Sequence, residues 1–434
     1  MSEQTLVAVV GCVAVLVLML IRVPIAISLG SVAVAGFAYL VGPGPALGIL
    51  IDSPIRTVTN FNFSVIPIFI LMGALVSVTG MSRELFRAAN AWAGHLPGGM
   101  AMATIFACGG FAAINGSSVA SAATMTQVAL PEMRRAGYDA GFSAGVIAAG
   151  GTLGIMIPPS VMFILYAVLT DTDVASLFIA GIVPGLIAIA FYCATIQIVH
   201  WMKPEWLPRR PRADTKERLE SLRDIWATAV LFVLVMGGIY GGFVTITEAA
   251  GLGVLGALVI GFARGRLSWP GVERSLVEAL RTSATIFFIL IAAFLFQYFL
   301  AVSQLSQLLA DALVSLPIGP LGVVIAILAF YIVIGMFVDE LAIILLTIPI
   351  VFPIVVDLGF DPIWFGVLVV VTVQIGLIAP PVGIICFIMN NMVPDIGLVN
   401  IYKGAMPFVI ADLFWLALLV AFPSLSLYLV SLMN

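Results

Sequence analysis

From Ala140 to Thr170 the chain runs for 31 residues without a charged side chain. As one straight helix that stretch would be about 46 Å long, against a bilayer hydrocarbon core of about 30 Å. Its middle reads GGTLGIMIPPS (150–160), with Gly154 and the adjacent Pro158 and Pro159 interrupting it. A proline in a helix interior removes a hydrogen bond and clashes with the preceding turn, at a cost of ~3 kcal/mol. In hydrocarbon the freed carbonyl has no water to turn to. Broken backbone at that depth persists only where protein buries it or a wet cavity lines it. The run is therefore read as two half-helices joined by an unwound link, which is the form of a binding site.

The remainder of the chain supports a membrane setting. Of 434 residues 62% are hydrophobic and 9% charged, where soluble domains carry about 25% charged residues. The run Thr5–Ile21 has no basic residue before it and Arg22 after it, the reverse of a signal peptide, so it is read as a retained span. Cys12, Cys108, Cys193 and Cys386 all lie in apolar runs without a CxxC pair and are read as buried small hydrophobes. His95 and His200 fall at span ends.

Spans are expected at 5–21, 24–42, 63–80, 141–169, 176–199, 225–241, 247–263, 284–301, 363–391 and 405–430. The stretches 98–131 and 318–356 fit neither one crossing nor two. Each carries polar or glycine residues at its midpoint, INGSS at 114–118 and GMFVDE at 335–340, so each is read as a re-entrant hairpin. The long polar segment 203–223 is placed in the cytoplasm as a solvated linker. Counting outward from it puts Arg22, Arg83, Arg87, Arg134, Arg135, Arg264, Arg266, Arg274, Arg281 and Lys403 on the same side, and leaves only Arg56 of 18 basic residues outside. Both termini then lie on the periplasmic or extracellular side. The segments 82–95 and 269–282 read as amphipathic helices at the cytoplasmic interface, and 303–314 as a similar one on the outer face.

The chain also repeats itself. LPEMRRAGYDAGFSAGVIAAGGTLGIMIPPS (130–160) overlays FPIVVDLGFDPIWFGVLVVVTVQIGLIAPPV (352–382) without a gap. Gly154 then meets Gly376, Pro158–Pro159 meets Pro380–Pro381, and Ser117–Ser118 faces Asp339–Glu340. With a one-residue slip, AGIVPGLI (180–187) matches KGAMPFVI (403–410). Five crossings separate the two hairpins, so the copies have opposite orientation. The expected fold is an all-α polytopic membrane protein with two inverted repeats, each holding a re-entrant helical hairpin and a broken transmembrane helix. That is an architecture of secondary transporters.

The chemistry at the breaks is oxygen-rich. The first half offers Asn115, Ser117, Ser118, Thr152, Ser160 and freed carbonyls near Gly154 and Pro158; the second offers Asp339, Glu340, Thr372, Gln374 and carbonyls near Gly376 and Pro380. Hard oxygens without a thiolate or imidazole cluster suit an alkali cation, and the half-helix N-termini suit a carboxylate. Cation sites are therefore expected at Asn115, Gly116, Ser117, Ser118, Gly154 and Pro158, and at Gly335, Asp339, Glu340, Gly376 and Pro380. Substrate contacts are expected at Thr152, Pro159, Ser160, Gln374 and Pro381. Glu248 and Asp412 are read as interface or helix-packing groups. No HExxH, GxSG, GxGD or GK[ST] motif occurs, so neither an intramembrane enzyme nor an ATP-driven pump is expected, and no cofactor beyond the coupling ion.

At NGSSVASAAT (115–124), LPEMRRAGYD (130–139), GGTLGIMIPPS (150–160), LFIAGIVPG (177–185), TITEAAGLG (245–253) and GLIAPPVGI (376–384) the sequence resembles the large membrane subunit of a TRAP (tripartite ATP-independent periplasmic) transporter. TITEAA stands where many relatives read TPTEAA, a local turn difference. The resemblance implies a bacterial inner-membrane protein of the ion-transporter superfamily, driven by sodium through an elevator mechanism. It also implies a small four-helix membrane subunit, not fused here, a periplasmic substrate-binding protein, and a carboxylate cargo such as a C4-dicarboxylate or sialic acid. No nucleic acid is implied. By position the sodium sites fall on the two tip-and-break constellations. A self-sufficient symporter of the same superfamily is the alternative. The expected division is 1–60 scaffold spans, 61–97 span and arm helix, 98–200 first transport half, 201–224 linker, 225–266 scaffold spans, 267–316 arm helices and span, and 317–434 second transport half.

Overall fold

The computed structural model describes residues 3–21, 23–209, 211–305, 307 and 317–433. The first group of helices is α1 (Glu3–Leu20), α2 (Ile25–Val41), α3 (Pro43–Thr59), α4 (Val65–Val78) and α5 (Met81–Ala93). A hairpin follows, α6 (Gly99–Asn115) and α7 (Ser118–Arg135), then a helix broken into α8 (Ala140–Met156) and α9 (Val161–Thr170), then α10 (Val174–Met202). After α11 (Thr215–Asp224) come α12 (Trp226–Tyr240), with a π-helical turn at Val233–Gly237, and α13 (Ile246–Ala263). The remainder is α14 (Trp269–Ser303), the hairpin α15 (Gly319–Gly335) and α16 (Glu340–Asp357), the broken pair α17 (Pro362–Ile378) and α18 (Ile384–Met392), α19 (Leu398–Ala421) and α20 (Ser424–Ser431). Among the described residues six helices are long and apolar enough to cross a bilayer, eight if each of two bent pairs is one span.

Each hairpin packs on the first half of its own broken helix, α6 and α7 on α8, α15 and α16 on α17. The second halves cross over: α9 leans on α16 of the other hairpin, and α18 on α7. The two copies are thus interlocked about a local two-fold axis. The crossings are close because small residues line them. The backbone of α8 at Gly141 and Gly145 lies directly against α19 at Asn400 and Gly404, leaving no room for a side chain at those glycines. Helices α2, α3 and α4 pack with α14, and α4 with α13, in a second group.

Four expectations are corrected. Helix α3 is not among the expected spans; Pro43 starts it, where a missing N–H costs nothing. The arm at 269–282 and the span at 284–301 are one continuous helix of 35 residues, about 52 Å long. The polar linker is not wholly solvated. Its helix α11 docks on α5, with Arg218 donating to the Ala91 carbonyl (3.2 Å) and lying over the Trp92 ring. The last span ends at Ala421, and Pro423 separates it from α20. The outer arm at 303–314 lies largely outside the described residues.

The side of the molecule that carries α5 is tied by charge. Arg264, just past α13, makes a two-pronged pair with Glu84 of α5 at 2.8 Å on each arm. Arg87 reaches Asp224 at 3.1 Å. Glu84 is 7% exposed and also has Arg266 at 3.6 Å, so loss of Arg264 would remove the two-pronged pair and leave the buried carboxylate with the longer contact alone.

Candidate functional site

The first hairpin turns at Gly116, whose φ of +65° only glycine adopts easily, and restarts at Ser117. The Ser117 hydroxyl accepts from the Ala120 N–H at 3.4 Å as the α7 cap. Asn115 braces the turn, donating to the Ser117 carbonyl (3.4 Å) and the Ser121 hydroxyl (3.3 Å). This tip rests on the break of its own repeat. A Cβ added at Gly154 would stand 2.5 Å from the Ser117 carbonyl oxygen, and one at Gly116 2.6 Å from that of Pro159. At the break the Ser160 hydroxyl donates to the Ile155 carbonyl (2.5 Å) and accepts from the Phe163 N–H (3.4 Å), capping α9. Pro158 and Pro159 are buried.

The second copy uses the same backbone device with different chemistry. A Cβ at Gly376 would lie 2.5 Å from the Gly335 carbonyl carbon. The Gly383 N–H donates to the Met336 carbonyl at 3.2 Å, and Asp339 caps α16 by accepting from the Leu341 N–H at 3.0 Å. The Pro158–Pro159 and Pro380–Pro381 peptides are both cis. Pro380 and Pro381 are exposed, and the Tyr402 hydroxyl donates to the Pro381 carbonyl at 2.8 Å.

The two tips meet. Ser118 donates its hydroxyl hydrogen to Glu340 Oε2 at 2.6 Å, and the two residues are 222 apart in sequence, the offset of the repeat. A residue therefore touches its own symmetry mate, which puts the local two-fold axis between them. Glu340 is 6% exposed and Ser118 fully buried.

In front of this contact lies a cavity of about 120 Å³ between the hairpin tips and the second group of helices. Asn115, Gly116, Ser117 and Glu340 line one wall, and Ser77 of α4 with Glu278 and Thr282 of α14 line the other. First-turn residues of three helices reach it: Ala120 of α7, Val161 and Met162 of α9, and Glu340 and Leu341 of α16. Helix N-termini favour an anion, while two carboxylates favour a cation. No Lys, Arg or His is among the lining residues. Such a wall can hold a cation and a carboxylate side by side, and holds a bare dianion poorly.

Of the residues singled out from the sequence, Asn115, Gly116, Ser117 and Glu340 face this cavity, Ser118 lies behind it, and Asp339 serves as a cap. Gly154, Gly335 and Gly376 form the tip-to-break contacts. Thr152 and Gln374 are not in the cavity. Both are fully buried in the core, where Gln374 Nε2 donates to the Tyr192 hydroxyl at 2.8 Å and Thr152 Oγ1 lies 3.5 Å from it. Ser77, Glu278 and Thr282 were missed. Glu278 and Thr282 are one helical turn apart on α14, and cutting that helix near residue 283 hid their shared face.

Over residues 12–425 the chain matches the family model described as tripartite ATP-independent periplasmic transporter, DctM component. It is 37% identical to the C4-dicarboxylate TRAP transporter large permease protein DctM of Pseudomonas aeruginosa, over 89% of this chain and 93% of that protein. It is 30% identical to the sialic acid TRAP transporter large permease protein SiaM of Vibrio cholerae, over 86% of this chain and 87% of that one. Among solved structures it resembles the Alcanivorax borkumensis YdaH transporter, with a TM-score of 0.65 over 88% of this chain and 89% of that chain, at 14% identity. That last likeness speaks to the fold alone.

Proposed function

The chain belongs to the DctM family of tripartite ATP-independent periplasmic transporters, and on that premise we propose that it is the large membrane subunit of a sodium-coupled importer of a small carboxylate. The family is one of transport permeases and not of enzymes, and the protein is a multi-pass inner-membrane component. Its working partners are a small membrane subunit and a periplasmic binding protein that delivers the cargo.

The observation that carries the coupling is the wall of the tip cavity. Glu340 and Glu278 line the same 120 Å³ space as the N-terminal turns of α7, α9 and α16. An anionic cargo entering alone would meet both carboxylates. Sodium bound at the Asn115–Ser118 and Gly335–Glu340 tips, with carbonyls from the Gly154–Pro158 and Gly376–Pro380 breaks, would neutralise that repulsion. The cargo carboxylate could then be held by the helix N-termini. Each species is bound better in the presence of the other, which is what symport requires.

In this reading the hairpins, the broken helices, α10 and α19 travel together as an elevator against α1–α4, α13 and α14. Helix α5, which packs on α6 and is held to the end of α13 through Arg264 and Glu84, acts as a connecting arm between the two groups. The cargo class follows the relatives, one named for C4-dicarboxylates and one for sialic acid.

The test is uptake of labelled succinate and sialic acid into vesicles holding the large and small subunits, with the binding protein added outside. An imposed sodium gradient should drive uptake of a cognate cargo without ATP, and omission of the binding protein should reduce it to background. Sodium-driven uptake by this chain alone would reject the tripartite reading and favour a self-sufficient symporter. A cargo-free check is thermal stability: sodium, and not potassium, should raise the melting midpoint of the purified subunits.

A further inference from the structure

Behind the tip cavity, in the core where α8, α10, α17 and α19 pack together, Asp412 is fully buried. Neither of its carboxyl oxygens makes a hydrogen bond of ordinary geometry, and Gln374 Oε1 is likewise unpartnered. The polar group that acts on Asp412 is the Tyr192 hydroxyl. That same hydroxyl receives Gln374 Nε2 at 2.8 Å and has Thr152 Oγ1 at 3.5 Å. Side chains from four helices, all of them fully buried, therefore surround the Tyr192 hydroxyl, with Gln374 presenting its amide nitrogen and keeping Oε1 unpartnered. None of the ion pairs among the described residues involves Asp412.

The cluster has more acceptors than donors. With Gln374 Nε2 directed into it, the Tyr192 hydroxyl has one hydrogen left to give, against three unpartnered oxygens. A carboxylate removed from water without a partner is strongly disfavoured, and one within a membrane helix marks a functional group by default. Position adds to this. Thr152 and Gln374 are repeat mates at the 222-residue offset, each two residues ahead of a break glycine, Gly154 and Gly376. Asp412 has no acidic mate, since the 223-residue offset of that segment leads to Ile189. The repeat supplies the flanks and one copy adds the charge.

We propose that Asp412, Gln374, Tyr192 and Thr152 form a further sodium site, separate from the hairpin tips, that binds one cation at the junction of the two repeats. An ion there would join the last turns of α8 and α17 through Thr152 Oγ1 and Gln374 Oε1, the Gln374 amide being turned over from the orientation in which Nε2 faces Tyr192. It would hold both breaks in register while the tips exchange their own ligands. The proposal shares with the preceding section only the choice of sodium as the ion.

Radioactive sodium binding to the purified large and small subunits counts the ions directly. Asp412→Asn, which keeps size and removes charge, should bind one sodium fewer per chain than the native protein. It should also shift the sodium dependence of the melting midpoint by about tenfold or more in concentration. Tyr192→Phe keeps the ring packed and should weaken the same response by a few-fold, which keeps the test open if Asp412→Asn does not fold. Equal sodium counts and superimposable titrations for native, Asp412→Asn and Tyr192→Phe proteins would overturn the site while leaving sodium at the tips intact. Absence of any sodium response in the native protein would instead remove the coupling reading together with this one.

Discussion

The two tip-and-break constellations share a backbone and differ in chemistry. In the first, neutral oxygens of Asn115, Ser117 and Ser118 meet a break whose prolines are buried. In the second, Asp339 and Glu340 meet a break whose prolines are exposed and tied down by Tyr402. Both depend on a glycine with no space for a Cβ, Gly154 against Ser117 and Gly376 against Gly335. The unwound helix is thus the inherited device, and the ligand set is what each copy has varied.

Several measurements can break or sharpen that comparison. The largest effect should come from Gly154→Val and Gly376→Val, each of which drives a side chain into the opposing tip. Both should abolish uptake and lower stability by ~1–3 kcal/mol or more; retained uptake in either would show that its copy does not need the close contact. Sidedness comes next. On a background without the four native cysteines, Arg135→Cys should react with an impermeant thiol reagent only from the cytoplasm and Asp357→Cys only from outside. Reaction of both from one side would refute the inverted arrangement.

Charge is the finer probe. Glu340→Gln keeps an acceptor for the Ser118 hydroxyl but removes the carboxylate, and should raise the sodium concentration for half-maximal uptake by about tenfold. Ser118→Ala should raise it only a few-fold, and equal shifts would erase the distinction between the copies. The smallest effect concerns caps. Asp339→Ala should cost ~1 kcal/mol of stability and Asp339→Asn far less, because asparagine caps nearly as well. Ser117→Ala, whose cap bond is long at 3.4 Å, should cost less than Asp339→Ala in the same melting experiment.

Where the chain breaks was legible from composition alone. The hairpin turns at 116–117 and 336–339 and the broken helices at 157–160 and 379–383 fall where glycine, proline and polar residues interrupt apolar runs, because those residues act locally. Helix α5 was legible for the same reason, its apolar face showing as periodicity. Helix α3 was hidden by prolines that suit a helix start as well as a loop. The continuity of α14 was hidden because its polar and apolar parts meet at Arg281–Ser283 without a breaker.

The sequence by itself determined that this chain lives in a membrane, that it is doubled, and that both copies are broken at matching points. Each of those properties resides in residues close together or in a constant offset. Only the tertiary structure decided that Ser118 touches Glu340, that Glu278 lines the cavity, and that Thr152 and Gln374 meet at the Tyr192 hydroxyl in the core that buries Asp412. Those partners lie on different helices, most of them far apart along the chain. What brings them together is the close packing of glycine-lined helices, such as α8 on α19, whose geometry has no local signature. An aspartate in an apolar helix looks the same in sequence whether it faces lipid headgroups, a packed neighbour or an ion.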